Sequence, residues 1–356
     1  MKIADQRLEK LMRRKELDAI LFWGLENIRY LCGFTGSDGA LICAREGRIF
    51  LTDSRYTEQA KSEVAKAVVS QYRQKIPEIV RVLKTLRGRR IGFEAAAVNF
   101  ESYRRLQERL PRVSFIPLSG EFSGLRAVKE AEEIVSLKKA VAIAAESFEE
   151  TIPRVKPGSR ETAIAEALEC RFRRKGGEKP SFDTIVASGC RAALPHGAAS
   201  EKKLAPGETV VIDFGSRFRG YHSDETKTLI LGKPDAKTRR VYEVVRRAQE
   251  KAIQAVRPGV TGREIDAAAR GMIQKAGLGK YFGHGTGHGV GLAIHEDPAI
   301  SPKGKAAVEE GMVFTVEPGV YIPGWGGVRL EDMVRVTARG CERLTYLSKE
   351  IKDNIL

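Results

Sequence analysis

The chain has 356 residues, 42% hydrophobic and 30% charged, the makeup of a folded globular protein and too long for one core, so two domains are expected. No run approaches the roughly 20 apolar residues of a membrane helix. The charged start MKIADQRLEKLMRRKELD lacks the apolar stretch of a signal peptide, which makes the cytoplasm the expected compartment. Five scattered cysteines without a C-x-x-C pair argue against a disulfide framework, and a net charge of +15 spread without a basic block argues against a nucleic-acid partner.

The first 123 residues alternate between strand-like and helix-like runs. Strands are expected at Asp18–Trp23, Ala40–Cys43, Arg48–Leu51, Arg90–Phe93 and Ser114–Pro117, and helices at Asp5–Lys15, Tyr56–Ala67, Ile76–Leu86 and Phe100–Arg109. This is the pattern of an α/β layer domain. The stretch holds no histidine. The segment from Ser123 connects it to a long helix, Ala131–Thr151, which puts the domains at residues 1–123 and 124–356.

The second domain contains a repeat. Val155-Lys-Pro-Gly-Ser-Arg-Glu precedes a helix at Thr162–Lys175, and Val256-Arg-Pro-Gly-Val-Thr-Gly-Arg-Glu precedes a helix at Ile265–Lys275. Each copy follows a long amphipathic helix, the later one at Val241–Val256, and each is followed by strand-rich sequence. Pro-Gly stops one helix, and Ser159 or Thr261 can cap the next. Thr261 to Glu264 has the spacing of a capping box. A common helix-to-helix turn would explain one such motif; two in matching context argue for a duplicated unit.

Five segments in this domain carry acids or histidines. Thr209-Val-Val-Ile-Asp213-Phe-Gly is an apolar strand ending on a carboxylate, Arg217–Gly220 is its turn, and the return strand from Tyr221 places Asp224, Thr226 and Thr228 on one face. Two adjacent carboxylates repel and resist desolvation, costs that a divalent cation relieves. Gly283 to Glu296 holds His284, His288 and His295 among glycines at 283, 285, 287, 289 and 291. So many glycines disfavour a helix, so the run is expected to be an extended strand whose bare backbone something approaches closely, its histidines serving as metal ligands or proton carriers. Gly311–Tyr321 is apolar except for Glu317, and Gly327 onward returns with Arg329 and Glu331 on one face. For Glu331 taken singly, an ion pair with Arg329 is the alternative reading. Together, four carboxylates and an imidazole suit two neighbouring divalent ions.

The motifs V-I-D-F-G, S-D-E-T-K-T, G-H-G-x-G-H-G-V-G-L-x-x-H-E, V-E-P-G-x-Y and G-V-R-L-E-D, in this order, resemble those of Xaa-Pro aminopeptidases and prolidases, and the Leu194-Pro-His196-Gly segment matches as well. The resemblance spans essentially the whole chain. It implies a creatinase-like α/β N-terminal domain and an α+β pita-bread catalytic domain with an internal two-fold. It further implies that Asp213, Asp224 and Glu331 hold one metal, with Asp224 and Glu331 bridging, and that His288 and Glu317 hold the other. A metal-bridging hydroxide would be the nucleophile and Glu317 its proton acceptor. His295 and His196 would hold the carbonyl oxygen, His284 and Tyr321 would contact substrate, and Arg329 would orient the bridging carboxylates. His222 and Glu225 are expected to be solvated or to support the ligands. Manganese is the expected ion, with cobalt or zinc as alternatives, and a homodimer the expected assembly. Proline-containing peptides are the implied substrates. An Xaa-Pro aminopeptidase is the first expectation and an Xaa-Pro dipeptidase the second. Creatinase shares the fold without the metals, and a non-catalytic binding protein of the same fold is the remote alternative.

Overall fold

The computed structural model describes residues 3–86 and 88–356. Contacts divide the chain after Arg126 into two compact units. In the first, the order is α1 (Ile3–Arg14), β1 (Ala19–Phe22), α2 (Leu25–Cys32), β2 (Ala40–Ala44), β3 (Gly47–Thr52), α3 (Thr57–Glu63), β4 (Val68–Gln71), α4 (Lys75–Thr85), β5 (Arg90–Glu94), α5 (Phe100–Arg109) and β6 (Ser114–Leu118), followed by the short α6 (Ser123–Ala127). The strands form one sheet in the order β4-β3-β2-β1-β5-β6. Alternation along β1 divides its residues between two cores: Ile20 and Phe22 pack with α1 and α2, and Ala19 and Leu21 with α4 and α5. Three elements escaped the sequence reading, among them the short α6, which falls in the stretch expected as a connector. Helix α2 is eight residues long and its N-cap, Gly24, offers no side chain. Strand β4 lies at the sheet edge and its four residues are partly exposed, which blurs its pattern.

The second unit repeats one plan twice. The first copy is α7 (Ala131–Thr151), α8 (Glu161–Arg174), β7 (Lys179–Pro180), β8 (Ile185–Ser188), β9 (Thr209–Phe214), β10 (Ser216–Phe218), β11 (Tyr221–His222) and β12 (Glu225–Ile230). The second is α9 (Ala236–Ala255), α10 (Gly262–Lys275), β13 (Gly287–Gly289), β14 (Glu296–Ile300), β15 (Val313–Val316), β16 (Gly319–Ile322), β17 (Gly326–Arg329), β18 (Asp332–Val336) and β19 (Cys341–Arg343). Sheets β12-β9-β8 and β14-β13-β15-β18-β19 carry the two copies, with β16-β17 as a separate ribbon. The repeat extends to single hydrogen bonds. Gly158 and Gly259 take φ of 87° and 88°, a left-handed conformation suited to glycine. Their N–H groups donate to Leu204 O (2.8 Å) and Val308 O (2.9 Å) respectively. Thr261 and Glu264 form the expected capping box. Ser159 caps nothing: the N-cap of α8 is Arg160, without a side-chain cap, because α8 begins one residue later than that reading requires. Among the described residues, no helix is long and apolar enough to cross a membrane.

Candidate metal centre

Strand β9 (TVVIDF) is buried between β8 and β12. Asp213 lies opposite Thr226 of β12, and Asp224, two residues before Thr226, shares its face. The hairpin turn is tighter than the sequence suggested, since β10 runs to Phe218 and pairs with β11, leaving Arg219 and Gly220 (φ 48° and 77°) to reverse the chain.

In the second copy, the glycine-rich run is extended only over β13. The close approach expected at the bare backbone is present, and it comes from neighbouring chain. A Cβ at Gly287 would lie 1.9 Å from Thr315 O, and one at Gly289 would lie 2.1 Å from Asp297 O. The bare backbone is filled by neighbouring chain, and this close packing seats His288. Nor do the two glutamates sit within strands. Gly311–Tyr321 breaks at Glu317-Pro318 between β15 and β16, and Glu331 fills the break between β17 and β18. At each break the chain passes from the five-stranded sheet to the ribbon or back. A carboxylate that would burden a strand interior thus stands at a corner with its side chain toward the site.

The groups converge. His288 Nε2 lies 3.6 Å from Asp224 Oδ2 and 3.4 Å from Glu317 Oε1. Ligand atoms of Asp224, His288 and Glu331 all lie within 4.8 Å of one another. His288 Nδ1 is 3.1 Å from Gly289 O, a contact that suits an N–H there and leaves Nε2 as a lone pair facing the acids. Arg329 donates to Asp213 Oδ2 (2.7 Å), Thr226 Oγ1 (3.0 Å), Tyr321 Oη (3.0 Å) and Pro195 O (2.9 Å). Thr226 in turn donates to Glu331 Oε2 (2.7 Å), and Thr315 to Glu317 Oε1 (3.3 Å).

Asp213, Asp224, His288, Glu317, Arg329 and Glu331 line a cavity of about 470 Å³ together with His196, His284 and His295, and Phe182, Ile185 and Ile294 give it an apolar wall. His196 is exposed on the loop after Ala193. The rings of His295 and His288 stand 4.2 Å apart. His284 is bound at both nitrogens, by Gly285 O (2.7 Å) and Tyr321 Oη (2.9 Å). Tyr321 is buried behind the cavity rather than lining it.

The profile of Metallopeptidase family M24 matches residues 135–338, and that of the Creatinase/Prolidase N-terminal domain matches residues 6–128. The chain belongs to metallopeptidase family M24. An Xaa-Pro dipeptidase of Pyrococcus furiosus is 38% identical over 99% of this chain and 100% of its own. The solved structure of an Xaa-Pro dipeptidase from Bacillus anthracis superposes with a TM-score of 0.95 at 40% identity, covering 99% of this chain and 100% of that one. An X-Pro aminopeptidase from Thermotoga maritima superposes with a TM-score of 0.90 at 38% identity, covering 100% of both chains. The fold is accordingly a creatinase-like N-terminal domain followed by a pita-bread catalytic domain, and the protein is a metallopeptidase.

An M24 enzyme calls for divalent metal, and the residues fit one. Burial, then Glu331, Asp213 and Glu317, push the Asp224 carboxyl well above the usual range. Burial, then Glu317 and Asp213, do the same to Glu331, and burial raises Glu317. Asp213 Oδ1 and Glu331 Oε1 are buried without a hydrogen-bond partner. Oxygen donors short of compensating charge are what a hard dication takes up. His222 and Glu225 are both buried, so the solvated reading of them does not hold. Burial pushes His222 down to about 4. Sequence reading missed Glu161, a fully buried carboxylate that accepts from Ser188 N and Oγ, Arg191 Nε, and Ser200 N and Oγ, thereby closing the base of the His196 loop. At the first turn of a helix it looked like an ordinary helix-end acid.

Proposed function

We propose that the chain is an Xaa-Pro dipeptidase holding two divalent ions, manganese first among them, on Asp213, Asp224, His288, Glu317 and Glu331. One observation supports this reading above the others: four carboxylates and an imidazole converge in one cavity of a chain that matches proteins named Xaa-Pro dipeptidase along their full length. The dipeptidase thereby moves ahead of the aminopeptidase that the motifs first suggested.

Two such ions, when bound, polarise the scissile carbonyl and bring the pKa of water near neutrality. The chain's own residues do the rest. Glu317, whose burial favours holding a proton, takes one from water and delivers it to the departing proline nitrogen. Burial lowers the pKa of His295, so it meets the carbonyl oxygen as a neutral N–H donor, with His196 lining the same cavity. Arg329 fixes Asp213 directly and Glu331 through Thr226. His284, engaged at both nitrogens, presents its ring to substrate. Tyr321 serves by holding His284 and Arg329 in place. An X–Pro amide has no N–H, and nothing in this scheme requires one.

One observation favours the aminopeptidase as a second reading. Arg329, the cation lining the cavity, is already committed to Asp213, Thr226, Tyr321 and Pro195 O, while a dipeptide brings a C-terminal carboxylate close to the cleaved bond. Purified enzyme reloaded with Mn²⁺ and given Xaa-Pro and Xaa-Pro-Xaa peptides separates the two. A dipeptidase cleaves only the first, and cleavage of the tripeptides at comparable kcat/KM overturns it. A homodimer in the cytoplasm completes the proposal, with sedimentation and cell fractionation as its checks.

A further inference from the structure

Asp224 and Glu331 stand immediately before β12 and β18, two strands that do not pair with each other. β12 pairs with β9, whereas β18 pairs with β15 and β19. Where the two approach, the Glu331 N–H donates to Thr226 O at 3.2 Å, and among the described residues no ladder continues that bond. Side chains add to it: Thr226 Oγ1 donates to Glu331 Oε2 (2.7 Å) and the Asp224 N–H reaches Met333 Sδ (3.3 Å), so the separation of the two carboxylates rests on discrete contacts rather than on a ladder.

Successive side chains of extended backbone point to opposite faces. With Asp224 and Glu331 facing the cavity, the next residues, Glu225 and Asp332, face the other way, and both are almost fully buried. One side chain meets both: Lys349 Nζ lies 2.5 Å from Glu225 Oε1 and 3.2 Å from Asp332 Oδ1. Asp332 is further held by Thr345 (2.6 Å) and Gln249 (3.1 Å). Lys349 is itself fixed. Lys227 donates to Ser348 O, and the chain end pairs with β12 through Leu356 N to Ile230 O (2.9 Å) and Gly232 N to Leu356 O (2.7 Å).

We infer that Lys349 is a positioning residue for the metal-binding carboxylates: by pinning Glu225 and Asp332 from behind, it sets the separation of Asp224 and Glu331 across two strands that share no ladder. Groups that hold metal ligands typically change metal affinity by roughly 10- to 100-fold when removed, and Lys349 acts on the residues adjoining two of them. The inference rests on the ligand set proposed above.

The test uses full-length protein stripped by chelation and titrated with Mn²⁺ by calorimetry and with Co²⁺ by visible absorption. Lys349→Met removes the tie but strands two buried acids. The double variant Glu225→Gln/Lys349→Met removes the tie with the charge rebalanced, so it separates positioning from folding. The expected result is a cooperative melt for the double variant, about tenfold or greater loss of affinity for the weaker Mn²⁺, and an altered Co²⁺ spectrum. Wild-type affinity and spectrum in the folded double variant overturn the inference. Hydrogen exchange on the unsubstituted protein gives a second reading that no folding defect can obscure. Metal loading should slow the amides of residues 345–356, and unchanged exchange there overturns the inference as well. If unsubstituted protein takes up no metal at all, the ligand assignment fails instead.

Discussion

The two faces of the backbone that carries Asp224 and Glu331 handle buried acid in opposite ways. On the reverse face, Glu225 and Asp332 share an ammonium supplied by the chain, Lys349. On the cavity face, Asp213, Asp224, Glu317 and Glu331 have one guanidinium among them. Its ion pair goes to Asp213, and oxygens of Asp213 and Glu331 are left without a partner. Buried charge is tolerated when neutralised and costly when it is not. The reverse face thus carries a cation of its own, although Glu225 Oε2 too is left without a hydrogen-bond partner, whereas on the proposed ligand set the cavity face draws its balance from cations in solution. On the proposed ligand set, the difference separates the acids that serve structure from those that serve chemistry, although Glu225 and Asp332 each directly follow a cavity-face acid in the chain.

Substitutions on the two faces should separate accordingly. The largest effect belongs to the cavity face. Asp224→Asn should lower kcat/KM toward Xaa-Pro peptides by roughly a thousandfold or more, with an unchanged circular dichroism spectrum, because it removes charge from the ligand set and nothing from the core. Retained turnover in metal-replete buffer would refute the site. On the reverse face, Lys349→Met should instead cost stability, about 3–5 kcal/mol in urea unfolding of stripped protein, since two buried carboxylates lose their cation. An unchanged midpoint would erase the contrast between the faces.

Smaller effects sharpen the comparison. Arg329→Lys keeps the charge but loses the forked donation to Asp213, Thr226 and Tyr321, and should weaken metal binding by about 10- to 100-fold. pH should act on the cavity face with a definite sign. Asp224, Glu317 and Glu331 hold protons at pH values where exposed carboxylates have lost them. Metal must displace those protons, so Mn²⁺ affinity should fall as pH falls, starting above the ordinary carboxylate range. The same shift makes stripped protein lose stability as pH rises from the ordinary carboxylate pKa toward the raised ones, because the folded state binds more protons than the unfolded. Melting temperature against pH, with and without Mn²⁺, checks both signs. Smallest of all, Tyr321→Phe removes a partner of both Arg329 and His284 and should cost about 1 kcal/mol in stability, with a several-fold loss in kcat.

Most of the frame was legible in the chain. The repeated Pro-Gly turns mark the duplication because left-handed glycines and helix breakers are local chemistry. The helices flanking them were recognisable because a 3.6-residue period persists over three turns or more. Short or edge elements such as α2 and β4 carry too few periods for that. The acids and histidines of the site were equally legible, since an acid in an apolar run needs a reason wherever it falls.

What the sequence determined by itself was thus the set of chemically significant residues and the duplicated plan that carries them. What only the tertiary structure decided was their directions. That Glu317 and Glu331 stand at corners, that the glycines around His288 admit neighbouring backbone, and that Lys349 and Glu161 hold the site from behind all depend on contacts between segments far apart in the chain. Periodicity reports the environment of a residue along its own strand or helix. The partner that fills that environment is selected by packing, and packing is not local.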